Sequence, residues 1–161
     1  MVNLNIAGKT YPATNPYLVG REKVREFAAA VLSTSPLSTD PAAALAAGYA
    51  GLVAPPTFAV IISQQAEAAL LDDPEAGIDF RHLVHGDQRF IHERPIVSGD
   101  ELSAQLTVTA VKQLGGNSLV TTVTKITDRD GALVSTAIAT FVIRDVPAEQ
   151  SADAAPQEAA Q

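Results

Sequence analysis

Behind the double proline Pro55-Pro56 stand Thr57 and then Phe58-Ala59-Val60-Ile61-Ile62, a run that is apolar on every side of a helical turn. A helix of that kind cannot lie on a surface with one face in water; it needs walls on several sides. Polar character returns only at Gln64, Gln65 and Glu67, and Asp72-Asp73-Pro74 closes the segment. The sequence thus predicts a helix with Thr57 near its cap, running to about Leu71, buried at its start and more polar at its end.

The walls are supplied by the second half of the chain. Extended segments are expected at about 81–93, 101–113, 118–127 and 133–143, separated by the turn words Ser98-Gly99-Asp100, Gly115-Gly116-Asn117 and Asp128-Arg129-Asp130-Gly131. In the last of them Leu133, Ala137, Ala139, Phe141 and Ile143 share one parity, interrupted by Ser135, which gives one face a small or apolar surface. Two further helices precede the central one. Val24, Phe27, Ala28, Val31 and Leu32 recur at helical spacing behind Gly20, and Asp40-Pro41 has the order of a cap and a first-turn proline before Ala42 to Ala47, with Gly48 as the stop. Helices first and strands after predict an α+β domain, an antiparallel meander wrapped around a central helix.

With 161 residues and 47% apolar content the chain can bury one core. We expect one domain over residues 1–146 and a disordered acidic tail over 147–161, because Ala148 to Gln161 is all Ala, Gln, Glu, Asp, Ser and one Pro. A net charge of -7 with no basic cluster disfavours nucleic acid as a partner. The longest apolar run, Leu52 to Ile62, is broken by two prolines and falls well short of the roughly 20 residues of a membrane span. Met1 to Asn5 lacks the succession of a signal peptide and there are no cysteines, so a cytoplasmic protein is expected.

Three ordered words sharpen the picture: Tyr17 to Ala28, Gly48 to Phe58, and Asp87 to Asp100. Together they resemble the MaoC-like N-terminal dehydratase family, in particular the non-catalytic subunits of mycobacterial R-specific 3-hydroxyacyl-ACP dehydratases, over about residues 1–145. The resemblance implies a single hot-dog fold, with the antiparallel sheet curled around the central helix, and side-by-side pairing of domains.

Catalytic members of that superfamily carry Gly-Asp-x-Asn-Pro-x-His after the first helix, where the Asp and His activate water or shuttle a proton on an acyl thioester. Aligned on Pro36, this chain reads Leu32-Ser33-Thr34-Ser35-Pro36-Leu37-Ser38, so Ser33 stands at the Asp position and Ser38 at the His position. A serine with no base beside it does not titrate near neutral pH. Pro56 aligns with the residue whose backbone N–H stabilises the oxyanion in active relatives, and a proline has no N–H.

Other polar residues read as structural. Asp40 is expected to be a helix cap and Asp100 a turn residue. His82 and His92 are expected on one face of a strand and His85 on the other, which does not converge on a metal. No catalytic residue, metal or cofactor is therefore assigned. The resemblance implies an acyl-binding subunit whose partner is a catalytic MaoC-like chain, or a second copy of itself, with acyl-ACP or acyl-CoA as ligand. Tyr49, Pro55, Thr57, Phe58, Val60 and Ile61 are the expected channel residues, although each fits an ordinary core as well. Two alternatives stay open: an acyl-CoA thioesterase using Glu67, against the reading of Gln64, Gln65 and Glu67 as the solvated half of the helix, and a homodimeric acyl-binding protein without chemistry.

Overall fold

The computed structural model describes residues 1–144. The expected domain end at 146 and the acidic tail 147–161 lie outside the described residues.

Helix α1 spans Arg21–Ala30 with Gly20 at its N-cap, burying Val24 and Ala28. It stops short of the last apolar residues of the pattern: Val31 caps it and Leu32 turns into the left-handed region at φ 55°, leaving both exposed. Helix α2 spans Pro41–Ala46, and the Asp40 side chain caps it as expected, accepting from the Ala42 N–H at 2.8 Å. The central helix α3 spans Ala59–Leu71. Here the start differs from the expected one. A 3-10 turn over Pro56–Phe58 leads into it, the Phe58 N–H bonding to the Pro55 carbonyl, so the helix enters through Phe58 and no side chain caps it. Two prolines with fixed φ set that tight first turn.

The five strands are β1 (Tyr17–Leu18), β2 (Leu83–His92), β3 (Glu101–Leu114), β4 (Asn117–Asp128) and β5 (Leu133–Arg144), all antiparallel in the order β1-β3-β4-β5-β2. Only β3, β4 and β5 form the expected meander. Strand β2 joins the far side of β5 and is an edge, and β1, too short to show an alternation, was not visible in the sequence. The sheet curls around α3, whose Ala59, Ile62, Ala66 and Leu70 are buried together with Leu102 and Leu106 of β3, Val120 and Ile126 of β4, and Phe141 and Ile143 of β5. Each such Leu, Ile or Phe contributes about 1.5–3 kcal/mol by leaving water. This is the hot-dog arrangement. No helix among the described residues is long and apolar enough to cross a membrane.

One irregularity in β2 positions the site. The register against β5 shifts between His85 and Asp87, a bulge at Gly86, where a Cβ would press on the Val142 side chain and the Thr140 carbonyl. A single extra residue flips the parity beyond it. Consequently His85, Gln88, Phe90 and His92 all fall on the face of Phe141, Ala139, Ala137 and Ser135, the face turned towards α3. The expected pairing of His82 with His92 against His85 is therefore incorrect. His82 lies outside the strand in a 3-10 turn, its Nδ1 3.2 Å from Asp79, while His85 and His92 share the inner face.

Candidate functional site

Three backbone segments meet at the start of α3. Ala54 donates its N–H to Ile96 at 2.8 Å and Val53 to Leu37 at 2.9 Å, while Leu52 and Ser98 exchange two bonds of 2.8 Å, through the Ser98 Oγ and the Leu52 carbonyl. Gly51 makes this closeness possible: a Cβ there would overlap the Ser98 carbonyl and hydroxyl. Between the joined segments lies a pocket of about 330 Å³. Its wall is Ser33, Ser35 and Ser38 from the α1–α2 connection, residues 53–56 leading into α3, and residues 92–96 following β2.

The positions aligned with the catalytic Asp and His thus do face a pocket, but as serine hydroxyls. Ser38 is 3% exposed and its Oγ donates to the Val53 carbonyl at 2.7 Å. Ser33 Oγ accepts from the Ser35 N–H at 3.5 Å, a local turn contact. Both side chains shape backbone, and neither can exchange a proton with a substrate near neutral pH. Arg94 offers no free cation to the pocket either. Its guanidinium sits 2.8 Å from Asp100 and 3.4 Å from Asp128, and those carboxylates hold it more firmly protonated. Asp100 also accepts from the Val97 N–H at 2.9 Å, the work of a turn residue.

The sequence reading missed His92 as a wall residue. Its Nε2 lies 2.9 Å from the Pro56 carbonyl oxygen. A carbonyl only accepts, so Nε2 carries a hydrogen and donates. Glu93 also borders the pocket, in the bend that follows β2. The signal that could have located His92 was Gly86, whose bulge sets the parity.

Of the expected channel residues, Pro55 lines the pocket. Phe58 is fully buried, its ring edge-on to Phe27 at 5.3 Å between centroids; Tyr49, Val60 and Ile61 are half-buried and Thr57 is exposed. Further along α3, Gln64 and Gln65 are exposed, but Glu67 is not part of that solvated side: it is 5% exposed, and its Oε1 has no partner. Burial pushes its carboxyl pKa up, against the opposing pull of His85 and Ser63.

Residues 5–137 match the family model of the FAS1-like, dehydratase domain region. A UPF0336 protein of Leifsonia xyli subsp. xyli is 54% identical over 143 residues, covering 89% of this chain and 96% of that protein. Among solved structures, the C-terminally truncated HadBC (3R-hydroxyacyl-ACP dehydratase) complex of Mycobacterium tuberculosis superposes with a TM-score of 0.75 at 34% identity, over 85% of this chain and 96% of that one. A MaoC-like dehydratase superposes with a TM-score of 0.79 at 35% identity, over 89% of this chain but 43% of that one.

Proposed function

Because the chain belongs to the FAS1-like dehydratase-region family, we propose that it is the non-catalytic, acyl-chain-binding subunit of a heterodimeric R-specific 3-hydroxyacyl thioester dehydratase or enoyl hydratase. The observation that carries this reading is the state of Ser33 and Ser38. Both occupy the wall of the pocket where water activation calls for an acid and an imidazole; the Ser38 hydroxyl donates to the Val53 carbonyl, and the Ser33 oxygen accepts only a long contact from the Ser35 N–H. The oxyanion position, Pro56, has no N–H, and its carbonyl is held by His92. A partner chain supplies the Asp and His, and this chain supplies part of the wall for the acyl tail.

Two features support pairing. Strand β2 is an edge of the sheet, with unpaired backbone groups along one side, and it leaves Val84 and Ile91 exposed, with Phe80 just before it. The HadBC structure, similar over nearly its whole matched chain, is described as a complex. A catalytic MaoC-like hot-dog chain is thus the favoured partner, and a second copy of this chain the alternative. The test is to purify the chain alone and with a catalytic MaoC-like chain from the same genome and to assay hydration of crotonyl and long-chain enoyl thioesters. Activity should appear with the pair; turnover by the lone chain at the rate of the pair would end the proposal.

Glu67 gives the thioesterase alternative one point in its favour, since a buried carboxyl with a free oxygen is not a solvated-face residue. Release of free thiol from an acyl-CoA by the lone chain, abolished in Glu67→Ala, is the result that would establish it.

A further inference from the structure

Strand β2 is an edge of the sheet, and its open side has an internal symmetry. Its ten residues, Leu83–His92, stand against nine residues of β5, Ser135 to Ile143, because Gly86 is the extra residue of the bulge. Gln88, opposite Ala139, is the middle of those nine positions, with four on either side of it. Successive positions alternate in face. The face turned away from α3 carries Asp87 and Val84 on one side of Gln88, one and three positions away, and Arg89 and Ile91 at the same spacings on the other.

None of the four is used within the chain. Val84 is 61% and Ile91 42% exposed, and Asp87 and Arg89 are exposed with no ion-pair partner among the described residues. The β5 residues beside the two charges, Thr140 and Ile138, are neutral. The backbone is open as well. The Glu93 N–H bonds to the Val134 carbonyl on the β5 side, and backbone groups alternate sides along a strand, so those of Gln88, Phe90 and His92 point to the free edge.

We propose that, when this chain is alone, a second copy pairs antiparallel with β2 about a two-fold axis through Gln88. Under that axis each position meets the one equally far on the other side, so Asp87 faces Arg89 and Val84 faces Ile91, each pair formed twice. The charged pair falls at a non-hydrogen-bonded site, with Cα atoms about 4.5 Å apart and side chains at their closest. On the inner face Leu83 of one copy lands beside His92 of the other, a wall residue of the pocket. Other registers fail. An axis one position away sets Arg89 against Arg89 or Asp87 against Asp87, and an axis between positions sets one face against the other. Larger shifts lose four or more of the nine positions. A strand shaped only for an unlike chain need not fit itself, whereas here a charge pair and an apolar pair match under one axis. The inference goes beyond the acyl-binding reading and does not rest on it: a catalytic chain at the same edge displaces the second copy, and failure here leaves that reading standing.

The experiment is sedimentation of the full-length chain, expressed alone, and of its variants. The parent should be a dimer at micromolar concentration. Asp87→Arg, which sets like charges face to face at two symmetric sites, should weaken that dimer about tenfold, and Asp87→Arg with Arg89→Asp should restore it. The chain has no cysteines, so crosslinking reads the register directly. A mixture of Val84→Cys chains and Ile91→Cys chains should form a disulfide-linked dimer on mild oxidation, and neither variant should do so by itself. A monomeric parent overturns the inference. So does a dimer indifferent to Asp87→Arg, a mixture that does not crosslink, or a crosslink within either variant alone, since each places the contact elsewhere.

Discussion

Ser38 Oγ donates to the Val53 carbonyl at 2.7 Å across the base of the pocket, so the residue at the imidazole position of active relatives braces the segment that feeds the central helix. Ser38→Ala removes that donor from a buried carbonyl and should cost about 1–2 kcal/mol in urea unfolding. Ser33→Asp with Ser38→His should not restore hydration of an enoyl thioester by the lone chain. The brace is lost, an imidazole must fit where the serine is 3% exposed, and Pro56 still lacks its N–H. A thioester absorbance assay on the double variant decides this.

Gly51 faces the Ser98 carbonyl and hydroxyl at a distance that no β-carbon can occupy. Gly51→Ala must push Ser98 away and so strain both of its bonds to Leu52. The loss should be about 1–3 kcal/mol, the usual cost of overpacking. Ser98→Ala, which deletes only the side-chain bond, should cost less, and the reverse order of the two would contradict the steric account.

Leu32 holds φ 55° with its side chain 85% exposed, so the strained backbone gains nothing from burial within this chain. A left-handed non-glycine residue costs roughly 1–2 kcal/mol, and Gly returns part of that through unfolded-state entropy. Leu32→Gly should therefore raise stability by about 0.5–1 kcal/mol. Thermal unfolding followed by circular dichroism would register it as a higher midpoint.

Asp73, just past α3, accepts from Lys9 Nζ and from the Tyr11 hydroxyl, both at 2.7 Å, which pins the N-terminal segment to the end of the central helix. Those two bonds, Lys9 first, hold its carboxyl below the usual range, while burial together with Asp73 pushes the Tyr11 hydroxyl up to about 12. A depressed carboxyl stabilises the fold above its unfolded pKa of about 3.9 and loses that contribution as pH falls through the native value. Asp73→Asn should be less stable than the parent at neutral pH, with the gap closing below about pH 4. A gap independent of pH would assign the effect to shape and not to charge.

The central helix, its wrapping and all four long strands were legible because each depends on a local pattern: an all-round apolar turn, a period of two, a Gly-Asn or Asp-Gly turn. The placement of β2 was not, since its partner β5 lies some fifty residues away and nothing local in 83–92 names it. Gly86 hid the rest. A parity count carried straight through the bulge puts His85 and His92 on opposite faces, and the structure puts them on one. The erased catalytic motif, in contrast, was readable at Ser33 and Ser38 from residue type alone, because chemistry that needs an acid and a base cannot be run by two hydroxyls. Glu67 was misread as solvated because a helix end rich in Gln and Glu carries no sign of which residue the sheet will cover.

That covered carboxyl yields a test of whether the fold retains Glu67 at its own expense. Burial raises its pKa, so the native state binds its proton more tightly than the unfolded chain does. Its contribution is complete below the unfolded pKa of about 4.3 and is lost as pH rises through the native value. The parent protein should then carry a penalty at neutral pH that Glu67→Leu removes, gaining about 1–2 kcal/mol at pH 7 and progressively less towards pH 4. Urea unfolding at the two pH values measures it, and a destabilised variant at pH 7 would mean that the carboxyl is satisfied after all.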